Sequence, residues 1–360
     1  MRTKRHFKLF TALILLPFVA LANHGDWKGK YTKEKTLHKS YNVNRDATVK
    51  IDNSYGNIDI ITWDENRVVI DVTITVKGNN STKVQEKLDD IDVEFNESYN
   101  RISAKTRFNK STSWWNWSNN NVSMKINYVI KMPITNHVYL ENNYGNINLD
   151  KLEGRADINC DYGTITTKEL MAENNNLNFD YTKNCYFEYL KSATINADYS
   201  GFTVGKANTL NINADYSKSK VEIAENVNYN CDYGSIAITN ANTVTGDGNY
   251  LSTRLGTIYK NIDIEGDYGA LKINNMTANS GDITINSDYM KITIGYSPSY
   301  HFNFVINLEY ASLRDTDGFE FHKKIIKSTE KYYTGYYGNV STSNRIQINS
   351  DYGSVTFKKN

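Results

Sequence analysis

One tyrosine, recurring at a nearly constant interval, restricts the fold of this chain more than any other feature. Tyr144, Tyr162, Tyr181, Tyr199, Tyr216 and Tyr233 lie 17 to 19 residues apart. Tyr268, Tyr289, Tyr310 and Tyr352 follow, and Tyr55 is an outlying copy. The 35-residue gap before Tyr268 reads as two units, with a degenerate copy at Leu255, Gly256, Thr257 and Ile258. The 42-residue gap before Tyr352 reads as two more, with Tyr337 and Gly338 between.

Each unit repeats one internal pattern. The segments LNINADY, ITINSDY and IQINSDY end at Tyr216, Tyr289 and Tyr352. Counting from the tyrosine, positions −6 and −4 are apolar, −2 is small, −1 is usually Asp and +1 is Gly or Ser in most copies. Apolar residues resume at +3 and +5, as in Ile236 and Ile238 or Val355 and Phe357. Positions −6 to 0 share one parity and so line one face of a strand, while +3 and +5 have the other parity. The strand must therefore bend to keep both rows inside, and the glycine at +1 is the expected place. One such unit cannot bury its own apolar face, whereas stacked parallel units bury a continuous core. The expected fold is all-β: a parallel β-solenoid (β-helix) of about a dozen coils of 17 to 21 residues. An antiparallel sandwich or barrel would place hairpin turns every 8–12 residues and needs no fixed side chain at one phase. Stacked corners do produce one, by ring-on-ring contact.

The same phase places the cysteines. Cys160 and Cys231 fall in the −2 slot held elsewhere by Ala197, Ala214, Ser287 and Ser350. Four coils at ~4.8 Å put them too far apart for a disulfide, so buried free thiols are expected.

The N-terminus reads as a secretory signal peptide over 1–22. Arg2, Lys4, Arg5 and Lys8 precede an apolar run from Leu9 to Leu21, and Ala20 and Ala22 form a small-x-small cleavage site. Residues 23–48 form a lead segment. Residues 49–135 hold the first coil, around Tyr55, and an antiparallel module with a short helix over 83–91 that caps the stack. Residues 136–360 carry the remaining repeats, with 315–333 as a loop containing a short helix or strand. A net charge of +1 gives no electrostatic case for nucleic acid, and no later run is apolar enough for a transmembrane segment.

Four stretches resemble a known group: Ser54 to Ile58, Trp63 and Asp64 leading into a strand at 68–76, Val129 to Pro133, and the closing unit Ile346 to Phe357. They are similar to the family of bacterial envelope proteins called putative adhesins, related to the head domains of autotransporter adhesins. The resemblance implies an exported β-solenoid associated with adhesion or envelope stress, and it brings no catalytic residue to transfer. This chain departs from the group in its tyrosines before the glycine and in its tryptophan-rich loop.

Three constellations bear on chemistry. Asp161, Asp180, Asp198, Asp215, Asp232, Asp267, Asp288 and Asp351, with Glu309, form an outward row at −1. Calcium binding or paired-acid catalysis would use such a row. An acid in nearly every coil is instead the mark of a turn residue capping N–H groups. Trp114, Trp115 and Trp117, flanked by Ser and Asn, are the candidate binding residues for an envelope glycan or envelope protein, with a structural cap as the plainer role. No histidines stand at metal-ligand spacing, and no cofactor is expected. The sequence thus favours a non-catalytic adhesin-like or scaffolding protein of the periplasm or cell surface. A carbohydrate-active lyase or hydrolase would need one local acid–base cluster, and a periplasmic partner of an envelope-stress regulator is the third reading.

Overall fold

The structure, a computed structural model, describes residues 29–109 and 122–360. Within them the chain is nearly all strand, in one large and mostly parallel sheet, with a single α-helix. The expected signal segment lies outside the described residues.

The N-terminal elements are β1 (Tyr31–Asn42), β2 (Thr48–Ser54), β3 (Ile58–Trp63), β4 (Arg67–Gly78), α1 (Ser81–Asp90), β5 (Ile91–Ser98), β6 (Arg101–Phe108), β7 (Val122–Pro133), β8 (His137–Asn143) and β9 (Ile147–Leu149). β2 and β3 flank Tyr55, and β8 and β9 flank Tyr144. Despite the long excursion between them, β2 lies parallel on β8 with Ile51 opposite Leu140, and β3 on β9 with Ile60 opposite Leu149. On their other side β2 and β3 pair in parallel with β6 and β7. The remaining pairings, β1–β4, β4–β7 and β5–β6, are antiparallel. The module therefore joins the stack through parallel strands and turns antiparallel away from it, and β1 belongs to it along its full length. Asn80 caps α1 by accepting the Lys83 N–H at 3.1 Å, and Val84 and Leu88 face inward.

From β8 onward, units stack in register. Ile158 lies opposite Leu140, Ile195 opposite Leu177, Ile212 opposite Ile195, and Ile285 opposite Ile264. All are buried, so the −4 positions form one apolar row. The row contains one exchange of volume. Gly246 follows Tyr229, and the ring of Tyr229 fills the space that a Gly246 side chain would occupy.

The corner differs from expectation. The tyrosines from Tyr55 to Tyr352 have φ of 47–63°, the left-handed region, so the chain turns at the tyrosine itself. Its side chain leaves the strand's inward parity and points out of the stack, about half exposed. The glycines at +1 have no positive φ. Their need is for space: a Cβ on Gly145 would lie 1.9 Å from the Gly56 carbonyl oxygen, and one on Gly163 2.0 Å from that of Gly145.

Two unit assignments are also corrected. Between Tyr233 and Tyr268 the corner residue is Tyr250, at φ 54°, while Leu255 and Ile258 are core residues of the following strand. Tyr337 is no corner. It is buried on the antiparallel strand Glu330–Tyr337, against Tyr296 and Phe302. The closing unit inserts into the stack: Arg345–Asp351 pairs in parallel with Ile283–Asp288 on one side and Phe302–Glu309 on the other. Residues 315–333 contribute strand Phe319–Ile326 and the start of Glu330–Tyr337, an antiparallel hairpin laid on Phe302–Glu309.

Candidate interaction surface

The outward tyrosines form one column. Tyr55, Tyr144, Tyr162, Tyr181, Tyr199, Tyr216, Tyr233, Tyr250, Tyr268, Tyr289, Tyr352 and Tyr310 follow in spatial order, with centroids 4.7–5.3 Å apart and planes within 2–8°. A left-handed backbone costs an L-residue about 1–2 kcal/mol. Each aromatic pair returns about 0.5–1.5 kcal/mol beyond burial, and an interior ring has two neighbours. Phe108 closes the column's first end, edge-on to Tyr55 at 6.3 Å.

The −1 carboxylates complete the backbone of the corner. The Tyr162 N–H donates to the Asp180 carbonyl, and this pattern repeats at Tyr181, Tyr199 and Tyr216. The Asp N–H has no carbonyl to meet, so the preceding unit's side chain accepts it. Asp198 N donates to Asp180 Oδ1 at 2.9 Å, Asp215 N to Asp198 Oδ1 at 3.1 Å, and Asp232 N to Asp215 Oδ1 at 2.9 Å. At the Tyr250 unit Asn249 takes the same role, accepting the Asp267 N–H at 3.2 Å. A role that an amide oxygen fills equally well requires an acceptor, not a charge. The capped N–H belongs to the next unit, not to the aspartate's own turn.

Position −3 carries a second row. Asn178 Nδ2 donates to Asn159 Oδ1 at 2.9 Å, Asn196 to Asn178 at 2.7 Å and Asn213 to Asn196 at 2.8 Å. Between the Asn and Asp rows runs an open groove of about 630 Å³.

Four tyrosines spread along the column titrate high. At Tyr162, Tyr216, Tyr268 and Tyr352 loss of solvation raises the phenol above its ordinary value, and neighbouring tyrosines and carboxylates raise it further. The folded state then holds protons that the unfolded state releases. Its stability is intact below the ordinary tyrosine value of about 10 and falls as pH rises above it. An alkaline titration followed by tyrosinate absorbance should show ionisation later in the folded chain than in urea. Coincident curves would contradict the raised values.

Other groups offer little chemistry. Cys160, Cys185 and Cys231 are buried and free, and burial pushes the Cys160 and Cys231 thiols up to about 12. A charged hollow of about 350 Å³ on the module is lined by residues including Asp52, Glu94, Lys105 and Arg107. There Lys105 pairs with Asp52, and Arg107 with Glu94 at 2.8 Å. The hydrogen bond from Arg107 holds the Glu94 carboxyl below its usual value, which suits a structural pair better than a general acid. Among the described residues no three His, Cys, Asp or Glu side chains converge as a metal-ligand set, and no helix is long and apolar enough to cross a membrane. Trp114, Trp115 and Trp117 lie between β6 and β7, outside the described residues. The sequence reading did not place Tyr250 in the column, although 17 residues separate it from Tyr233 and 18 from Tyr268.

The class defined by these features is an all-β chain of parallel stacked units carrying continuous side-chain rows. Among solved structures it is similar to a "putative cell adhesion protein" from Clostridium sporogenes (13% identity, TM-score 0.19, covering 91% of this chain and 100% of that one). It is also similar to a "putative adhesin" from Bacteroides fragilis (11%, TM-score 0.28, 90% and 97%) and another from Parabacteroides distasonis (11%, TM-score 0.31, 90% and 97%). Likeness at this level carries no functional argument. No family model matches the chain, and no curated protein matches it.

Proposed function

We propose that this chain is an exported, non-catalytic envelope protein, a β-solenoid acting as an adhesin-like or scaffolding module. In this reading 1–22 is the signal peptide, 23–48 a lead segment that supplies β1 to the capping module, 49–135 the first coil with the rest of that module, and 136–360 the repeat body. Kinship with autotransporter adhesin heads belongs to the same reading. The observation that carries it is uniformity: the tyrosine column and the Asp and Asn rows recur from unit to unit. Catalysis concentrates unlike groups at one place, whereas a binding or scaffolding surface gains from repetition. The partner is an envelope glycan or an envelope protein, held by the loop bearing Trp114, Trp115 and Trp117. Changing all three to Ala should cut capture on glycan arrays and in envelope pull-downs by about tenfold or more, as loss of aromatic anchors does at other interfaces. Capture equal to wild type removes the loop from the function.

A further inference from the structure

We propose that the tyrosine column is a self-association surface, on which a second copy of this chain docks with its stack running parallel to the first. Envelope capture plays no part in this inference, so it stands or falls independently of the function proposed above.

The first observation is area. From Tyr144 to Tyr310 eleven column rings are each 46–55% exposed. A tyrosine offers about 150–250 Å² of surface, so together these rings present about 800–1,400 Å² in one strip. Stable interfaces bury about 800 Å² per partner, and the largest apolar patch of an ordinary monomer is about 300–600 Å².

The second is what the strip exposes. Within the column both faces of each interior ring are covered by its neighbours at 4.7–5.3 Å, so a sugar cannot stack on them. Only ring edges and hydroxyls are presented, at the spacing of β-strands in a sheet. A partner that meets every ring must repeat at that spacing, and a second stack of the same units does so.

The third is charge. The strand entering each corner carries the Asp row at −1. The segment leaving it carries Lys183, Lys218 and Lys291 at +2, and Arg254, Lys272 and Arg314 at +4, all exposed. Neither these six cations nor Asp161 to Asp288 of the row form an ion pair among the described residues. A twofold axis parallel to the stack lays the acidic side of one copy against the basic side of the other throughout. A twofold axis perpendicular to it lays acid on acid. Complementarity selects the parallel pair.

The test is sedimentation of the mature chain, with spin labels reporting geometry. Wild type should form a dimer that weakens with salt. Lys218→Glu, Arg254→Glu and Lys272→Glu together should weaken it by about tenfold or more, since reversed charges now face like charges. These side chains are exposed, so an unchanged circular dichroism melt separates loss of the dimer from loss of the fold. Labels at Lys183→Cys and Lys291→Cys should each report one short distance between copies, the same at both positions, because a parallel twofold brings every residue to its own counterpart. A monomer at all concentrations, a dimer insensitive to charge reversal, or label distances that differ between the two positions would each overturn the proposal.

Discussion

A chain lacking residues 345–360 should lose the folded structure of its last units while those before Tyr268 stay ordered. The closing unit is not an appendage, because it occupies the middle of the local stack. Arg345–Asp351 hydrogen-bonds with Ile283–Asp288 on one side and with Phe302–Glu309 on the other. Ser354–Lys359 likewise lies between Lys291–Tyr296 and Ser312–Arg314. Tyr352 is the ring that joins Tyr289, at 4.7 Å, to Tyr310, at 4.9 Å. Deletion removes the buried side chains of Ile346, Ile348, Val355 and Phe357. At about 1.5–3 kcal/mol each, that is about 6–12 kcal/mol of burial, comparable with the whole stability of an ordinary domain. It also opens a slot between strands whose backbone groups then lack partners, an invitation to aggregation. Loss should stay local because stacked units depend chiefly on their nearest neighbours. Hydrogen exchange read by mass spectrometry should show protection gone over 283–314 and 319–337 but kept over 156–247. Undiminished protection at 302–314 would show that this unit holds its place without the inserted one.

That insertion also marks the limit of what the sequence discloses. The period, the apolar phase and the small −2 residues are local, repeated facts, and they were enough to read an all-β chain with parallel stacking and buried Cys160 and Cys231. Spatial order is not local. IQINSDY before Tyr352 looks the same whether its neighbour is Tyr310 alone or both Tyr310 and Tyr289, since every unit presents the same edge to the next. Tyr250 was concealed because Asn249 replaces the aspartate and the glycine stands at 248, so the motif failed although its geometry persisted. Parity arguments misplaced the tyrosine for a related reason. They hold only while the backbone stays extended, and a left-handed residue ends that regime. At Gly145 and Gly163 the glycine was read as the site of the bend, whereas the bend falls one residue earlier, at the tyrosine, and the glycine answers a need for space; a bend and a close approach leave the same residue in the sequence. The charge difference across the column was legible at Lys218 and Lys291 once the corner was known to point outward.

The two explanations of those glycines make different predictions, and Gly145→Ala separates them. At a site of positive φ the cost would be the modest strain of an alanine in that region. Gly145 has no positive φ, and its trouble is steric: the new Cβ would sit 1.9 Å from Gly56 O, 2.5 Å from its carbonyl carbon and 3.0 Å from its nitrogen. These are backbone atoms in paired strands, with no flexible side chain to swing aside. Relief therefore requires the units of Tyr55 and Tyr144 to part, lengthening the bond from Ile58 N to Asn146 O and the 5.3 Å contact between their rings. The expected cost is at or above the upper end of the roughly 1–3 kcal/mol typical of overpacking, with Tm lowered by several degrees. Gly201→Ala, at +2 of the Tyr199 corner where no stacked backbone comes close, is the control. Its Cβ would meet nothing nearer than Asn184 N at 4.0 Å, and Gly201 also lacks a positive φ. There the reduced freedom of the unfolded chain should leave stability unchanged or raise it by about 0.4–1 kcal/mol. Thermal and urea unfolding of the two variants side by side decide the matter: equal effects would mean that close approach between stacked units is not what reserves position +1 for glycine.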